Sequence, residues 1–437
     1  MNRKIILLIA AGCAVLIILS WVVVLSTKST AEKQQILIGR AREYINDGIY
    51  IMAASLLEEA AGYDGAHTIT AENELKEMYL HLIESKGFSR KYISLLEKQM
   101  SRKNCPPEVF IEAAEYYLST NAKQKAYEIL KNAIHRTENS DIKRVYEGCR
   151  YAFDISRTTY DETAAIYNQT IQVRQGEKWG IASVDGGVLI PCEYEKISTF
   201  SNGRAVVKKD SVIYAVDKNN NRIALASSDV QDFSNLAENR VSLLRPDGWY
   251  RASENFQTGT NVFEDIGMYS GGYAAAKANG SWGVIDTKMN WLILPEYDGV
   301  ITDELGRCYA QGAVFVRSGD NVYLRTAKGF LSDRYQDARP FSDEGYAAVK
   351  KENKWGFIDT GGDVKVDFIF DDALSFGQHL AAVKIGDLWG YISINGQVVI
   401  DAVFVEAKSF SGGSAPVLTE RGWQLITLIE YKRGATL

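Results

Sequence analysis

Hydrophobic and polar positions follow three different patterns along the chain, and each pattern predicts a different kind of structure. No residue from Ile5 to Leu25 is charged. Between about residue 30 and residue 155, apolar residues recur at helical spacing with few Gly or Pro breakers. From residue 160 to 428, short alternating segments separated by Gly- and Asn-containing turns indicate β-hairpins. The sequence therefore predicts three segments, 1–27, 28–159 and 160–437.

The uncharged segment from Ile5 to Leu25 has the length of a transmembrane helix, because about 20 apolar residues cross the hydrocarbon core. Arg3 and Lys4 precede it, and this positive charge favours a cytoplasmic N-terminus with the bulk of the chain extracytoplasmic. A cleaved signal peptide is one alternative, although its apolar core is usually about 7–15 residues long. A lipoprotein signal ending at Cys13 is another, although apolar sequence continues well past that cysteine. We therefore expect an uncleaved signal-anchor in the cell membrane.

Paired helices are predicted for the second segment, 28–159. Large residues and alanines lie on the facing sides of two antiparallel helices at Phe110, Ala114, Tyr117, Ala126, Leu130 and Ala133. The same spacing fits Leu37, Ala41, Tyr44, Ala53, Leu57 and Ala60. A weaker copy covers 75–99, and a closing helix is predicted for 141–153. This spacing resembles the tetratricopeptide repeat, whose period is about 34 residues. A generic helical bundle is the alternative, since these are also ordinary core positions.

A sequence repeat dominates residues 160–428. Its copies begin at Trp179-Gly180, Ile213-Tyr214, Trp249-Tyr250, Trp282-Gly283, Val322-Tyr323, Trp355-Gly356, Trp389-Gly390 and Trp423-Gln424. Successive copies are 34, 36, 33, 40, 33, 34 and 34 residues apart. This regularity predicts eight copies of one β-meander, which has an Ala/Val strand, a Trp strand and a third strand. A fourth short strand is predicted to start at Tyr194, Tyr297 or Phe370.

The repeated Trp and Gly residues are interpreted as structural. We expect the tryptophans to be packing anchors, because a residue at the same place in every unit is usually core. Glycine after Trp leaves room for a neighbouring backbone or indole. The alternative is a ladder of aromatic rings that stacks on a ligand. The pattern resembles the WG-repeat family of bacterial β-repeat proteins, also described by the triplet KWG, and departs from it at Ile213 and Val322.

The sequence before the first Trp favours a closed ring over an open stack. Residues 160–174 align without gaps onto residues 370–384, which places Tyr160 opposite Phe370 in the repeat. We therefore expect the two ends of the repeat segment to share one blade. Closure of this kind removes exposed sheet edges. The sequence thus predicts an eight-bladed β-propeller, with an open β-solenoid as the alternative.

Motifs that carry chemistry are weak in this sequence. Asp359-Thr360-Gly361 has the triplet of aspartic proteases, but it falls in a predicted hairpin turn, and these enzymes need two such carboxylates. Residues 217–221 faintly resemble a calcium loop, but Arg222 stands where the glycine belongs. We predict no enzymatic activity and no catalytic, cofactor-binding or metal site. The sequence does not identify ligand-binding residues.

The net charge of the chain argues against one class of binding partner. The chain has 49 basic and 55 acidic residues and a net charge of −6, which argues against nucleic acid. The predicted function is a membrane-anchored, non-enzymatic interaction scaffold that binds protein or peptide partners through two extracytoplasmic modules. The alternative is a cell-surface carbohydrate or peptidoglycan binder, or a glycosidase, with a cell-wall saccharide as its ligand.

Overall fold

The computed structural model describes residues 29–326, 329 and 331–431. The chain divides into two compact units between Tyr146 and Glu147. The predicted transmembrane span from Ile5 to Leu25 lies outside the described residues. Within the described residues, no helix combines the length and apolar character needed to cross a membrane.

Seven α-helices precede the repeat strands in the described part of the chain. Their bounds are α1 Thr30–Asn46, α2 Tyr50–Gly62, α3 Thr68–His81, α4 Phe88–Met100, α5 Pro107–Ser119, α6 Lys123–Arg136 and α7 Ser140–Arg150. Ser29 starts α1 with a capping box, in which its side chain and that of Glu32 satisfy each other's backbone N–H groups. Pro107 occupies the first turn of α5, where its missing N–H costs nothing. The predicted N-terminal helical region is therefore present.

The core of the helical unit contains the twelve residues that the repeat spacing predicts to lie on the facing sides of the helices. Eleven of those twelve residues are buried, and only Tyr44 is half-buried. Alternate helices are also tied together over one repeat length. Arg42 of α1 pairs with Glu74 of α3 at 2.6 Å, and Lys91 of α4 pairs with Glu58 of α2 at 2.7 Å. Arg136 of α6 donates to the carbonyl of Met100 at 2.9 Å. The helices therefore stack with a period near 34 residues.

The second unit consists of eight antiparallel four-stranded sheets. We number these blades in chain order. The strands are β1 Phe153–Ile155, β2 Glu162–Thr163, β3 Thr170–Gln175, β4 Lys178–Ser183, β5 Val188–Tyr194, β6 Lys196–Ile197, β7 Arg204–Lys209, β8 Val212–Asp217, β9 Arg222–Leu225, β10 Asp232–Phe233, β11 Arg240–Arg245, β12 Gly248–Ser253, β13 Thr258–Phe263, β14 Asp265–Ile266, β15 Tyr273–Ala278, β16 Ser281–Asp286, β17 Trp291–Tyr297, β18 Gly299–Val300, β19 Ala313–Ser318, β20 Asn321–Thr326, β21 Leu331–Tyr335, β22 Asp337–Ala338, β23 Tyr346–Lys351, β24 Lys354–Asp359, β25 Val364–Phe370, β26 Asp372–Ala373, β27 Leu380–Ile385, β28 Leu388–Ser393, β29 Val398–Phe404, β30 Glu406–Ala407, β31 Ser414–Thr419 and β32 Gly422–Leu428.

Each blade starts with a two-residue inner strand and ends with a longer outer strand. Blades 1 to 7 are β2–β5, β6–β9, β10–β13, β14–β17, β18–β21, β22–β25 and β26–β29. The short strand that was predicted to follow the third strand is displaced. Tyr194 ends β5, and the next short strand, β6, begins at Lys196 and belongs to the following sheet. The predicted fourth strand of each unit is therefore the inner strand of the next blade.

Blade 8 joins the two ends of the β unit, which makes the fold an eight-bladed β-propeller. Its strand order is β1-β32-β31-β30. Phe153 pairs with Leu428, and Ile155 pairs with Ile426. Tyr160 and Trp423 exchange two backbone hydrogen bonds of 2.9 Å. The closing strand thus begins seven residues before the predicted start at 160. Phe153 lies in that strand and not in the predicted closing helix.

Candidate functional site

The tryptophans of the repeat lie in the third strand of their blades and pack against the hydrophobic clusters of the blades. Trp355, Trp389 and Trp423 are buried, with exposed fractions of 3%, 8% and 6%. Trp179, Trp249 and Trp282 are half-buried and pack against the clusters of neighbouring blades. A basic side chain lies over several of the rings. Arg339 is 4.4 Å from the Trp355 ring centre, and Lys408 is 5.0 Å from that of Trp423.

The glycines that follow Trp lie where the outer strand crosses the Trp strand. A Cβ atom on Gly180 or on Gly390 would stand 2.5 Å from the carbonyl oxygen of the outer strand, and one on Gly356 would stand 2.7 Å away. Gly283 has the same close contact with Ile293. Because the opposing atoms are backbone, a side chain at these positions would force the two strands apart.

The inner loop, which joins the first and second strands of each blade, is longer in blade 5. It runs from 301 to 312 there, twelve residues, whereas the same loop has six or seven residues in the other blades. We call residues 301–312 the central insertion. The repeat step of 40 residues between Trp282 and Val322 is the sequence signal of this extra length.

The central insertion contacts blades on several sides of the ring. Glu304 accepts a hydrogen bond from the Lys408 ammonium of blade 8 at 2.8 Å. Asn235 of blade 3 donates to the carbonyl of Leu305 at 3.1 Å, and the Met268 amide of blade 4 donates to Gly306 at 3.1 Å. The Leu305 side chain also packs beside residues of blade 1. A loop that reaches blades 1, 3, 4 and 8 from blade 5 must lie at the centre of the ring.

Two cavities lie beside the central insertion. One has a volume of about 530 Å³ and the other about 620 Å³, and residues 302–304 line both. The first is walled by inner loops of blades 1 and 4 to 8, and includes Arg307, Arg339 and Asp343. The second is walled by blades 1 to 4 and includes Trp179 and Phe233. The insertion therefore separates two chambers of the central channel.

Most charged groups around these chambers are already paired. The Asp303 carboxylate accepts from the Arg307 side chain at 2.6 Å and from the Arg307 amide at 2.9 Å. Glu304 is paired with Lys408, whose side chain is 10% exposed. Arg339 lies 3.4 Å from Asp372 of the next blade. Pairing of this kind holds the insertion and the blades together.

The two weak sequence motifs are hairpin turns. Asp359 accepts hydrogen bonds from the amides of Gly361 and Asp363, and pairs with Lys365 at 2.8 Å. The Lys365 ammonium, followed by these amides, lowers the pKa of the Asp359 carboxyl. Asp217 accepts from two amides of its own turn, 219 and 221, in the same way. Both carboxylates therefore accept hydrogen bonds within their own turns.

The described cysteines are all free thiols. Cys105, Cys149 and Cys308 are buried, and Cys192 is half-buried. Burial raises the pKa of the Cys308 thiol to about 12, which keeps it protonated at neutral pH. These residues therefore have the character of core positions.

A group of aromatic and acidic side chains in the helical unit escaped the sequence analysis. Tyr92 of α4 and Tyr116 of α5 lie with ring centres 5.5 Å apart. Burial first, and then the carboxylates of Glu112, Glu77 and Glu115, raise the pKa of Tyr92 to about 12. We call these five residues the aromatic–acidic cluster. The sequence signal for it is the alternation of charge between successive helices, which a net charge for the whole segment conceals.

Comparisons with known proteins agree with the repeat pattern. A family model described as WG containing repeat matches residues 179–212, 282–303, 334–355, 355–389 and 389–423. These matches contain or border Trp179, Trp282, Trp355, Trp389 and Trp423. None of the curated proteins matches the chain.

Solved structures with some similarity include a eukaryotic initiation factor, at 11% identity and a TM-score of 0.40, covering 63% of this chain and 87% of that one. The WD40 domain of Neurospora crassa Pan2 has 9% identity and a TM-score of 0.31, covering 53% and 88%. The N-terminal domain of Nup159 has 10% identity and a TM-score of 0.29, covering 62% and 90%. The β unit of this protein is thus an eight-bladed propeller, and the WG containing repeat matches five positions within it.

Proposed function

We propose that this protein is a membrane-anchored, non-enzymatic interaction scaffold with two binding modules on the extracytoplasmic side. The observation that carries the proposal is a set of exposed apolar side chains at one end of the α2–α3 pair. Ile51 is 61% exposed, Met52 47% and Leu80 42%, and Tyr50 stacks on His81 at 4.6 Å beside them. Clustered apolar residues on a soluble surface are typical of protein-binding sites.

The helical unit suits partner binding for a second reason. Its helices stack with the period of a tetratricopeptide-like array, the helical type that the sequence predicts, and such arrays present extended surfaces. The propeller offers a separate rigid surface, and the paired charges around its central insertion favour binding over acid–base chemistry. Catalytic groups normally need perturbed, available carboxylates or bases. Asp303 and Glu304 are instead bonded to Arg307 and Lys408.

A direct test uses the apolar end of α2–α3. A photo-crosslinking residue at position 51 of the full chain, expressed in native membranes, should yield a discrete protein adduct. The Met52→Ser variant carrying the same crosslinker should lose most of it. As a control, a crosslinker at Val188 of blade 1, which at 70% is somewhat more exposed than Ile51, should give no such adduct. Equal adducts at both positions would contradict a specific surface.

Membrane anchoring is part of the same proposal, and its support is the uncharged segment from Ile5 to Leu25 with Arg3 and Lys4 before it. Protease added to intact cells should degrade the helical unit and the propeller while sparing the first few residues. Protection of the whole chain would place both units in the cytoplasm and refute this topology.

A carbohydrate-binding role is the second candidate. It is favoured by the chamber of about 620 Å³, whose wall combines the half-buried Trp179 ring and the buried Phe233 with Lys196 and Asn235. A partly exposed indole face with hydrogen-bonding groups beside it suits a sugar ring. A glycan array and a pull-down on insoluble cell wall with residues 28–437 distinguish the candidates. Saccharide retention that is lost in Trp179→Ala supports the second, whereas capture of protein alone supports the scaffold.

A further inference from the structure

Two neighbouring inner loops depart from the repeat, and both line the first chamber, the cavity of about 530 Å³. One is the central insertion of blade 5. The other is the inner loop of blade 6, residues 339–345, which has seven residues where the other six blades have six. Shared positions of a repeat build the fold, whereas insertions in single repeats map to loops, often on the binding face. The two irregular loops therefore mark the first chamber as a ligand site.

One residue of the blade 6 loop also has a structural contact. Oε1 of Glu344 accepts a hydrogen bond from the His379 amide of blade 7 at 2.8 Å. Glu238 of blade 3 and Gln378 of blade 7 make the same contact with backbone amides of the blades that follow them. A glutamine oxygen therefore suffices for this contact, and the negative charge of Glu344 is not needed for it.

Two oxygen atoms of the same loop are buried without a hydrogen-bond partner among the described residues. They are Oε2 of Glu344 and Oγ of Ser342. Ser342 is only 7% exposed, and both residues line the first chamber. A buried polar atom without a partner costs free energy, and such atoms are few in native proteins. An ionised carboxylate can only accept hydrogen bonds, so the group that Glu344 lacks is a donor.

The charges around the first chamber favour a donor that is also a cation. Its two arginines, Arg307 and Arg339, are paired with carboxylates, and Glu304 is paired with a lysine of blade 8. In the described part of the chain, Asp343 and Glu344 have no basic partner within 4 Å. The wall of the chamber therefore has two negative charges that no pairing offsets.

We propose that the first chamber binds a small organic molecule with a primary ammonium group. The ammonium group donates to Oε2 of Glu344 and to Oγ of Ser342, which supplies the missing donor and an opposite charge together. The carbon chain of the ligand lies against an apolar part of the wall, formed by Phe341, Phe376 and Phe410. A volume of about 530 Å³ is within the range of small-molecule sites. This site belongs to the propeller and goes beyond the scaffold function proposed above.

The test measures binding to the full chain in nanodiscs by isothermal titration calorimetry, with empty nanodiscs as the reference. The probe is n-hexylamine, and hexan-1-ol and hexanoate are its neutral and anionic counterparts of equal chain length. Hexylamine should bind saturably. The alcohol and the carboxylate should bind at least about tenfold more weakly, because neither presents a cation to Glu344.

Matched variants separate the chamber from general electrostatic attraction. Glu344→Gln keeps the contact with blade 7, as Gln378 shows at the next blade, and it should weaken hexylamine binding about tenfold. Ser342→Ala should weaken it about threefold. Glu238→Gln makes the same change at the equivalent residue of blade 3, which does not line the first chamber, and it should change the affinity less than about twofold. Thermal unfolding of each variant checks that the propeller remains folded.

Three outcomes overturn the inference. Equal weakening in Glu344→Gln and Glu238→Gln would mean that hexylamine responds to the net charge of the propeller. Binding of hexan-1-ol as tight as that of hexylamine would show that the chamber does not recognise an ammonium group. The absence of saturable binding by hexylamine would refute the site itself. The crosslinking experiment at position 51 tests the helical unit separately, so the two proposals can fail independently.

Discussion

The blades that contain Trp-Gly differ from those that do not in the path of their outer strand. Blades 1, 4, 6 and 7 have Trp-Gly and outer strands of seven residues. In blade 6, Trp355 pairs with Phe370, and Phe357 pairs with Val366. Two steps along the Trp strand thus correspond to four along the outer strand, which has two extra residues opposite Gly356. In blade 3, Trp249 and Tyr250 pair with consecutive residues, 263 and 262.

This difference shows that Trp and Gly have separate roles. The Trp position pairs with an aromatic residue in blades of both kinds, for example Trp389 with Phe404 and Val322 with Tyr335. The glycine is required only where the outer strand bulges over it. Pro191 and Pro295 are tolerated in two of these bulges because residues in a bulge are not part of the regular hydrogen-bond ladder.

Blade 8 provides the largest expected effect, since it has the Trp without the glycine and closes the ring. Trp423→Ala should lower the free energy of unfolding by about 3–5 kcal/mol, the range for removing a large buried side chain. Because Tyr160 and Trp423 share two backbone hydrogen bonds, hydrogen exchange at the Tyr160 amide should accelerate as well. Trp249→Ala, in a blade that closes nothing, should leave Tyr160 protected. Unchanged exchange at the Tyr160 amide in the Trp423→Ala variant would show that ring closure does not depend on the Trp423 side chain.

The glycine itself has the next largest effect. Gly390→Ala should cost about 3 kcal/mol, because the added methyl would stand 2.5 Å from the Ile400 carbonyl and neither backbone can move freely. Gly259 lies in the outer strand of blade 3 with nothing within 4 Å of its Cβ position. Gly259→Ala should therefore change the stability by less than about 0.5 kcal/mol. Urea unfolding of both variants measures the difference, and equal stabilities would show that the bulge adapts.

Local repetition explains how much of this fold the sequence predicts. Eight blades follow from eight spaced copies, and the alignment of Tyr160 with Phe370 is confirmed, since Tyr160 pairs with Trp423 as Phe370 pairs with Trp355. The strand at 153–155 was missed because three residues are too few for an alternating pattern. Its strand geometry comes from pairing with β32, at the other end of the β unit.

The sites are less predictable than the fold because the contacts that form them join residues far apart in the sequence. The 40-residue step signals extra length in blade 5, but the contact of Glu304 with Lys408 joins residues 104 positions apart. Likewise, Tyr92 is adjacent in sequence to basic residues, and only helix stacking brings it to the carboxylates of α3 and α5. Contacts of this range leave no periodic trace in the sequence.

The smallest effect tests whether a glycine alone can convert one kind of blade into the other. Tyr250→Gly creates a Trp-Gly pair in blade 3, where the two extra residues of the outer strand lie one position later, opposite the step from Tyr250 to Ala252. The tyrosine ring lies 5.1 Å from the Arg245 guanidinium and its hydroxyl donates to Asp247, so its loss removes these contacts. Glycine within a strand also costs conformational entropy. We expect a loss of about 1 kcal/mol in urea unfolding, whereas Tyr250→Phe, which keeps the ring, should lose less than half of that. A gain in stability for Tyr250→Gly would mean that the outer strand can change its path, and that the glycine selects the position of the bulge.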